Sequence, residues 1–257
     1  MSSSTAVAVA AGVPVARERM ERLFYLVAGC LLLLVVALGF QHFYLEGKTS
    51  DGSPVTQQIV PLVFLHGILM TVWIVAFVVQ SSLIVGGNRK LHMTLGVGGA
   101  VLAGLMVIVG ITTAIASVHY NPDGYKEIWG ARRFLSFMLV NILGFAAMAG
   151  IGLIYRRRPE VHRPMMLLGT LFIAGPAGFF RIPAVSGPIM GTIHTIIAPW
   201  IPMLVLGAML LVVKLLMTRS WDRYLAKGFA GIIIACVLQY VVSGSAWWNH
   251  VAGWFTA

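Results

Sequence analysis

Hydrophobic and polar positions do not alternate residue by residue along this chain; they separate into long blocks. Apolar runs cover 23–41, 59–88, 91–126 (apolar as far as Val118), 134–155, 164–180, 182–213 and 228–257, and no Asp or Glu lies inside the apolar part of any of them. A bilayer core of about 30 Å needs about 20 helical residues, so each run can hold one crossing. Nothing shows the ten-residue alternation of a membrane β-barrel. The pattern predicts an all-α polytopic membrane protein, a bundle of seven transmembrane helices. The fifth run is the shortest and carries Pro176, so a tilted or kinked helix, pinched by Arg181, is expected there. Pro199 and Pro202 should kink the sixth below His194.

Three segments follow from these blocks: a flexible tail over 1–22, the transmembrane domain over 23–248, and a short tail over 249–257. The apolar core at 23–40 is longer than a signal-peptide core and has no small-residue cleavage site after it, so it reads as a signal-anchor. Lys and Arg set the orientation. Arg17, Arg19, Arg22, Arg89, Lys90, Arg156, Arg157, Arg158, Arg163, Lys214, Arg219, Arg223 and Lys227 fall on one side of seven crossings. Lys48, Lys126, Arg132, Arg133 and Arg181 fall on the other. That bias places the N-terminus in the cytoplasm and the C-terminus outside a bacterial inner membrane, with Trp247, Trp248 and Trp254 as an outer interfacial anchor.

Composition agrees: 59% of residues are hydrophobic, 10% are charged, and the mean hydropathy is +0.90. In such a chain the net charge of +10 reflects topology and contact with anionic lipid, not a nucleic-acid surface. Cys30 and Cys236 have no metal or redox spacing and read as small apolar residues. Nucleotide loops, HExxH and Gly-x-Ser-x-Gly are absent. A retinal protein would need a mid-helix lysine with an acidic counter-ion, whereas Lys227 stands at the start of the seventh run.

Chemistry therefore rests on histidine. At 1.5 Å per residue His66 lies roughly 10 Å below the outer boundary of the second helix, and His194 lies in the same outer third of the sixth. His92 opens the third helix and His162 immediately precedes the fifth, both at the cytoplasmic face. Two depth-matched pairs result, His66 with His194 and His92 with His162. Haem iron takes axial ligands from above and below its ring, so matched depth on two helices suits a bis-histidine b-type haem. Against this stands a structural reading, with His92 and His162 at lipid headgroups and His66 and His194 bonded to Thr71, Thr192 or Thr195. His42, His119 and His250 read as solvent-facing.

Met70, four residues after His66, shares its face, and Met93, Met165 and Met166 follow the other histidines. Histidine with thioether suits copper(I), although methionine also fills packing gaps. Gly96, Ala100 and Gly104 form a smooth ridge for close helix packing or for a porphyrin face. Arg132, Arg133 and Arg181 gather near the outer face, where haem propionates or lipid phosphates would meet them.

The segments 88–96 and 158–169 share a plan of short basic loop, histidine and apolar helix, which hints at a repeat of helix pairs about an axis along the membrane normal. The stretch Leu65-His66-Gly67, Trp73, Gln80, Leu91-His92, Leu95-Gly96, followed by Arg158-Pro159-Glu160-Val161-His162-Arg163-Pro164-Met165-Met166, resembles a group of uncharacterised bacterial multi-pass membrane proteins. Those carry a Leu-His-Arg-x-Leu-Gly box and a His-Arg-x-x-Met box; the resemblance covers roughly 66–181, with Met93 where Arg is usual. It implies no particular activity. In architecture alone, two histidine pairs on membrane helices are similar to the diheme cytochromes b. The functional expectation is b-haem electron transfer through His66, His194, His92 and His162, exchanging electrons with a quinone or a membrane redox partner. A non-redox subunit or assembly factor, as part of an oligomer or complex, and a copper-handling protein are the alternatives.

Overall fold

A computed structural model describes residues 3–49, 54–123, 129–192 and 199–256. The chain is almost entirely helical: α1 Ser3–Gly39, α2 Gln41–Glu46, α3 Val60–Val85 (preceded by a 3-10 turn), α4 Arg89–Tyr120, α5 Ala131–Ile154, α6 Pro159–Phe180, α7 Pro183–Thr192, α8 Trp200–Thr218, α9 Arg223–Ser243 and α10 Ala246–Thr256. Among the described residues there is no strand, only a bridge pairing Lys48 with Pro54. Among the described residues six helical segments are long and apolar enough to cross a membrane: Arg17–Gly39, Gln57–Val85, Arg89–Tyr120, Ala131–Ile154, Trp200–Thr218 and Arg223–Ser243. The protein is thus a multi-helix membrane protein whose outer faces meet lipid, as exposed Val97, Val101 and Ile108 on α4 illustrate.

The fifth apolar run is α6, which is not among those six. Its sequence shows why: Glu160 and Arg163 lie in its first two turns, and Pro164 and Pro176 lie inside it. Its burial shows why this is tolerated. Leu167, Leu168, Leu171, Phe172 and Thr170 are all at most 1% exposed, because α1, α5, α8 and α9 surround the helix. A helix wrapped in protein need not be apolar toward lipid. Glycine permits the closest of these crossings. A Cβ on Gly39 would stand 2.3 Å from the Gly178 carbonyl oxygen, so α1 and α6 touch backbone to backbone at their far ends.

Buried polar groups tie the bundle. The Trp73 indole N–H donates to Thr170 Oγ1 at 3.1 Å, joining α3 to α6. The Trp200 indole N–H donates to Gln239 Oε1 at 3.2 Å, and Gln239 Nε2 donates to Ser136 Oγ at 3.0 Å, joining α8, α9 and α5.

Several expectations shift. The sixth run is carried by α7 and by α8, which starts at Trp200 with Pro199 as its cap and Pro202 in its first turn. Both prolines therefore open a helix, where a missing N–H costs nothing. The last residues form α10, which lays Trp248 and Ala252 against Ala114, Val118 and Leu135. Trp248 is buried with its indole N–H on the Arg132 carbonyl (2.9 Å), while Trp247 and Trp254 stay exposed as an interfacial anchor would. The ridge of Gly96, Ala100 and Gly104 is not a close helix contact: a Cβ on Gly104 would meet nothing within 4 Å, and one on Gly96 only the Gln80 amide.

Candidate functional site

The arginine-rich end of the bundle holds the arrangement that chemistry can use. Gly87, with φ +77°, makes the tight turn after α3, and the Asn88 side chain caps α4 by accepting from Leu91 N at 3.1 Å. This turn sets Gln80 of α3 against His92, the fourth residue of α4. With the amide oriented to satisfy its neighbours, Gln80 Nε2 donates to His92 Nδ1 at 2.7 Å and to the His92 carbonyl at 3.1 Å, while Oε1 accepts from Gly96 N at 3.0 Å. The second hairpin repeats the device. Pro159 starts α6, and His162 is again the fourth residue. Its Nδ1–H donates to the Gly152 carbonyl at 2.8 Å, one of the orphan carbonyls in the last turn of α5.

The two imidazoles are neighbours, edge to face. Their ring centroids are 6.3 Å apart and their planes nearly perpendicular, at 83°. Each Nδ1 is engaged, and neither Nε2 makes a hydrogen bond within the described residues. The two are engaged in opposite senses: His162 Nδ1–H donates and leaves Nε2 a lone pair that can ligate, whereas His92 Nδ1 accepts, so its Nε2 carries the proton. Two imidazoles bonded at about 2.0–2.1 Å to one metal have centroids about 6–6.5 Å apart when collinear. The spacing observed fits that. No group of three or more His, Cys, Asp or Glu that could hold a metal ion occurs among the described residues. A histidine pair fits a macrocycle that brings its own equatorial nitrogens better than a bare ion needing three or four protein ligands.

The outer pair is half visible. His66 lies on α3 with its Nδ1 shut off from solvent and without a hydrogen bond. Thr71 is not its partner, because that hydroxyl donates to the Gly67 carbonyl (2.7 Å) and bonds the Tyr44 hydroxyl (2.5 Å). His194 and Thr195 lie outside the described residues, and Thr192 is described only as backbone. Arg181 is close enough to act on His66 electrostatically; its guanidinium lies over the Phe40 ring at 4.5 Å and donates to the Ala177 carbonyl. Met70 packs on the main core, and Met166 packs on Gly152.

The remaining histidines face outward. His42 bonds Glu46 at 2.9 Å, and with Lys48 it holds the Glu46 carboxyl below its ordinary value. His119 and His250 are exposed beside Tyr120 and Trp254.

Sequence reasoning missed two groups. Gln80 is a polar residue inside an apolar run, which is itself a signal. Lys214 is 3% exposed, held by the Tyr25 hydroxyl at 2.5 Å, Glu21 at 3.4 Å and the Asp222 carboxylate. No family model, curated protein or solved structure matches this chain, so the site stands on its own geometry.

Proposed function

We propose that this chain is an integral membrane b-type haem protein that transfers electrons within or across the membrane, with His92 and His162 as one axial pair. The observation that carries the reading is the neighbouring pair itself: fourth residues of two equivalent helices, each anchored backward through Nδ1, 6.3 Å apart. Bound there, haem would supply one-electron chemistry. The chain would hold the iron through His162 Nε2, oriented by the Gly152 carbonyl, and through His92 Nε2 once that ring exchanges its Gln80 bond and moves its proton to Nδ1. A second haem at His66 and His194 belongs to the same proposal, supported by the unpartnered His66 Nδ1. A quinone or membrane redox protein is the exchange partner this chemistry calls for.

The topology proposed with it has seven crossings. α6 spans about 33 Å at 1.5 Å per residue, long enough to be the seventh, and the N-terminus lies in the cytoplasm of a bacterial inner membrane. With Cys30 and Cys236 replaced, Leu45→Cys and Trp221→Cys should label from opposite sides; labelling of both from one side overturns the orientation.

The functional test is spectroscopic. Protein purified from haem-replete cells and reduced with dithionite should give a Soret band with α and β bands. His92→Ala and His162→Ala should each remove the same spectral component while the protein still inserts. Wild-type protein free of haem from such cells refutes the reading and leaves a non-redox membrane subunit with structural histidines. Copper in place of haem would instead favour the copper-handling alternative, in which His66 and Met70 share a helix face.

A further inference from the structure

A cavity of about 380 Å³ opens at the arginine-rich end among α5, α6 and α9, and neither His92 nor His162 lines it. Its inner wall is apolar: Met148 and Ile151 of α5, and Val161 and Met165 of α6. Its mouth carries Arg158 and Lys227, with Tyr155 and Tyr224 beside them. The Arg158 guanidinium stands 5.8 Å from the centre of the Tyr155 ring. Gly228 closes the α9 side against α6, where a Cβ would come within 2.4 Å of Leu168.

The two cations at the mouth lack counter-charges. At this end Glu18 pairs with Arg22, Glu21 with Lys214 and Arg163, and Asp222 with Lys214, while Glu160, in the first turn of α6, forms no ion pair with either cation among the described residues. Among the described residues neither Arg158 nor Lys227 makes an ion pair. An apolar trough that ends in two unpaired cations and two phenols has the polarity of an amphiphile with an acidic head. Free phosphate would leave the trough unfilled, and a neutral lipid would leave the cations unmatched.

We propose that this cavity is a binding site for one anionic phospholipid, its phosphodiester between Arg158 and Lys227 and an acyl chain along Met148, Ile151, Val161 and Met165. Basic pockets between membrane helices recognise anionic headgroups in this way. The site is independent of haem and stands or falls separately.

Native mass spectrometry of the detergent-purified full chain tests it, using dioleoyl phosphatidylglycerol against dioleoyl phosphatidylcholine. One phosphatidylglycerol should be retained preferentially. Each cation near a headgroup is worth about five-fold in affinity, so Arg158→Ala with Lys227→Ala should weaken that first lipid about 25-fold. Ile151→Trp should block the trough with all charges intact. Arg156→Ala with Arg157→Ala removes the same charge outside the cavity and should leave the first lipid unchanged. Equal retention of both lipids, an equal loss in the Arg156/Arg157 control, or indifference to Ile151→Trp overturns the proposal. So does displacement of the lipid by inorganic phosphate alone. Thermal melts of each variant, matched to wild type, separate lost binding from lost folding.

Discussion

Replacing Lys214 by Met tests whether the charged cluster at the arginine-rich end holds the bundle together. Lys214 sits near the end of α8 and joins three elements: Glu21 and Tyr25 on α1, and Asp222 at the start of α9. Its ammonium also lies 4.5 Å from the Tyr25 ring centroid and 5.6 Å from that of Phe24. Removing one partner of a buried ion pair costs about 3–5 kcal/mol, chiefly through the charge left behind. Two observations lower the figure here. Glu21 is 30% exposed, so water takes over much of what its carboxylate loses. Asp222 keeps two donors, because Oδ1 accepts from Tyr224 N at 3.0 Å and Leu225 N at 2.9 Å as the cap of α9. A loss of about 3 kcal/mol is therefore expected for Lys214→Met, measured by reversible unfolding in mixed micelles of rising SDS fraction. Adding Asp222→Asn should recover roughly 1–2 kcal/mol, since the amide oxygen still caps α9 and the stranded charge is gone. The double-mutant cycle isolates the pair. Lys214→Met within 0.5 kcal/mol of wild type (about the scatter of such cycles), or a further strictly additive loss with Asp222→Asn, refutes the clamp.

Three further outcomes follow from the packing, all readable in the same unfolding assay. Gly39→Ala should cost about 2–3 kcal/mol, because its Cβ would press on the Gly178 backbone, which has no side chain to turn aside. Gly98→Ala meets nothing within 4 Å on α4 and should be neutral or stabilising by up to about 1 kcal/mol. Gln239→Leu should cost about 1–3 kcal/mol by stranding the Trp200 indole N–H, while Ser136 keeps its bond to the Arg133 carbonyl.

What was legible in the chain was position within each helix. A basic loop before an apolar run marks a helix start, which is why His92 and His162 could be matched as helix-opening residues before their 6.3 Å approach was known. Adjacency is set by side-chain interdigitation, and period alone does not encode it. The Gly96–Gly104 ridge shows the difference: small residues at four-residue spacing permit a close crossing, but none is made there, whereas Gly39 and Gly178 meet without any such spacing to announce them. Lys214 was hidden for another reason. A lysine at the end of an apolar run serves equally as a topology signal or as a buried partner; of its acids, Glu21 lies 193 residues away in sequence, and Asp222, eight residues on, reads first as the cap of α9. α6 was legible as the fifth apolar run, Pro176 included; what the run did not announce is that protein, not lipid, surrounds it.

The helix-end hydrogen bonds explain why a histidine stands at the start of α4 and of α6, but they do not explain why the two rings meet. Capping the last turn of α5 requires one donor to the Gly152 carbonyl, and a serine, asparagine or water would supply it. Satisfying Gln80 likewise engages one nitrogen of His92. Each ring has a second nitrogen to which these structural roles give nothing to do. Had the rings been only interfacial caps, the plainest arrangement would turn those nitrogens outward to water and headgroups. Instead the imidazoles of α4 and α6 lie with their centroids 6.3 Å apart. That separation is too long for a direct N–H···N bond between collinear rings, which would place the centroids about 5 Å apart. A metal shared between collinear rings would set about that separation. The same residue position in both hairpins, each reaching back to its preceding helix, is what the haem proposal rests on.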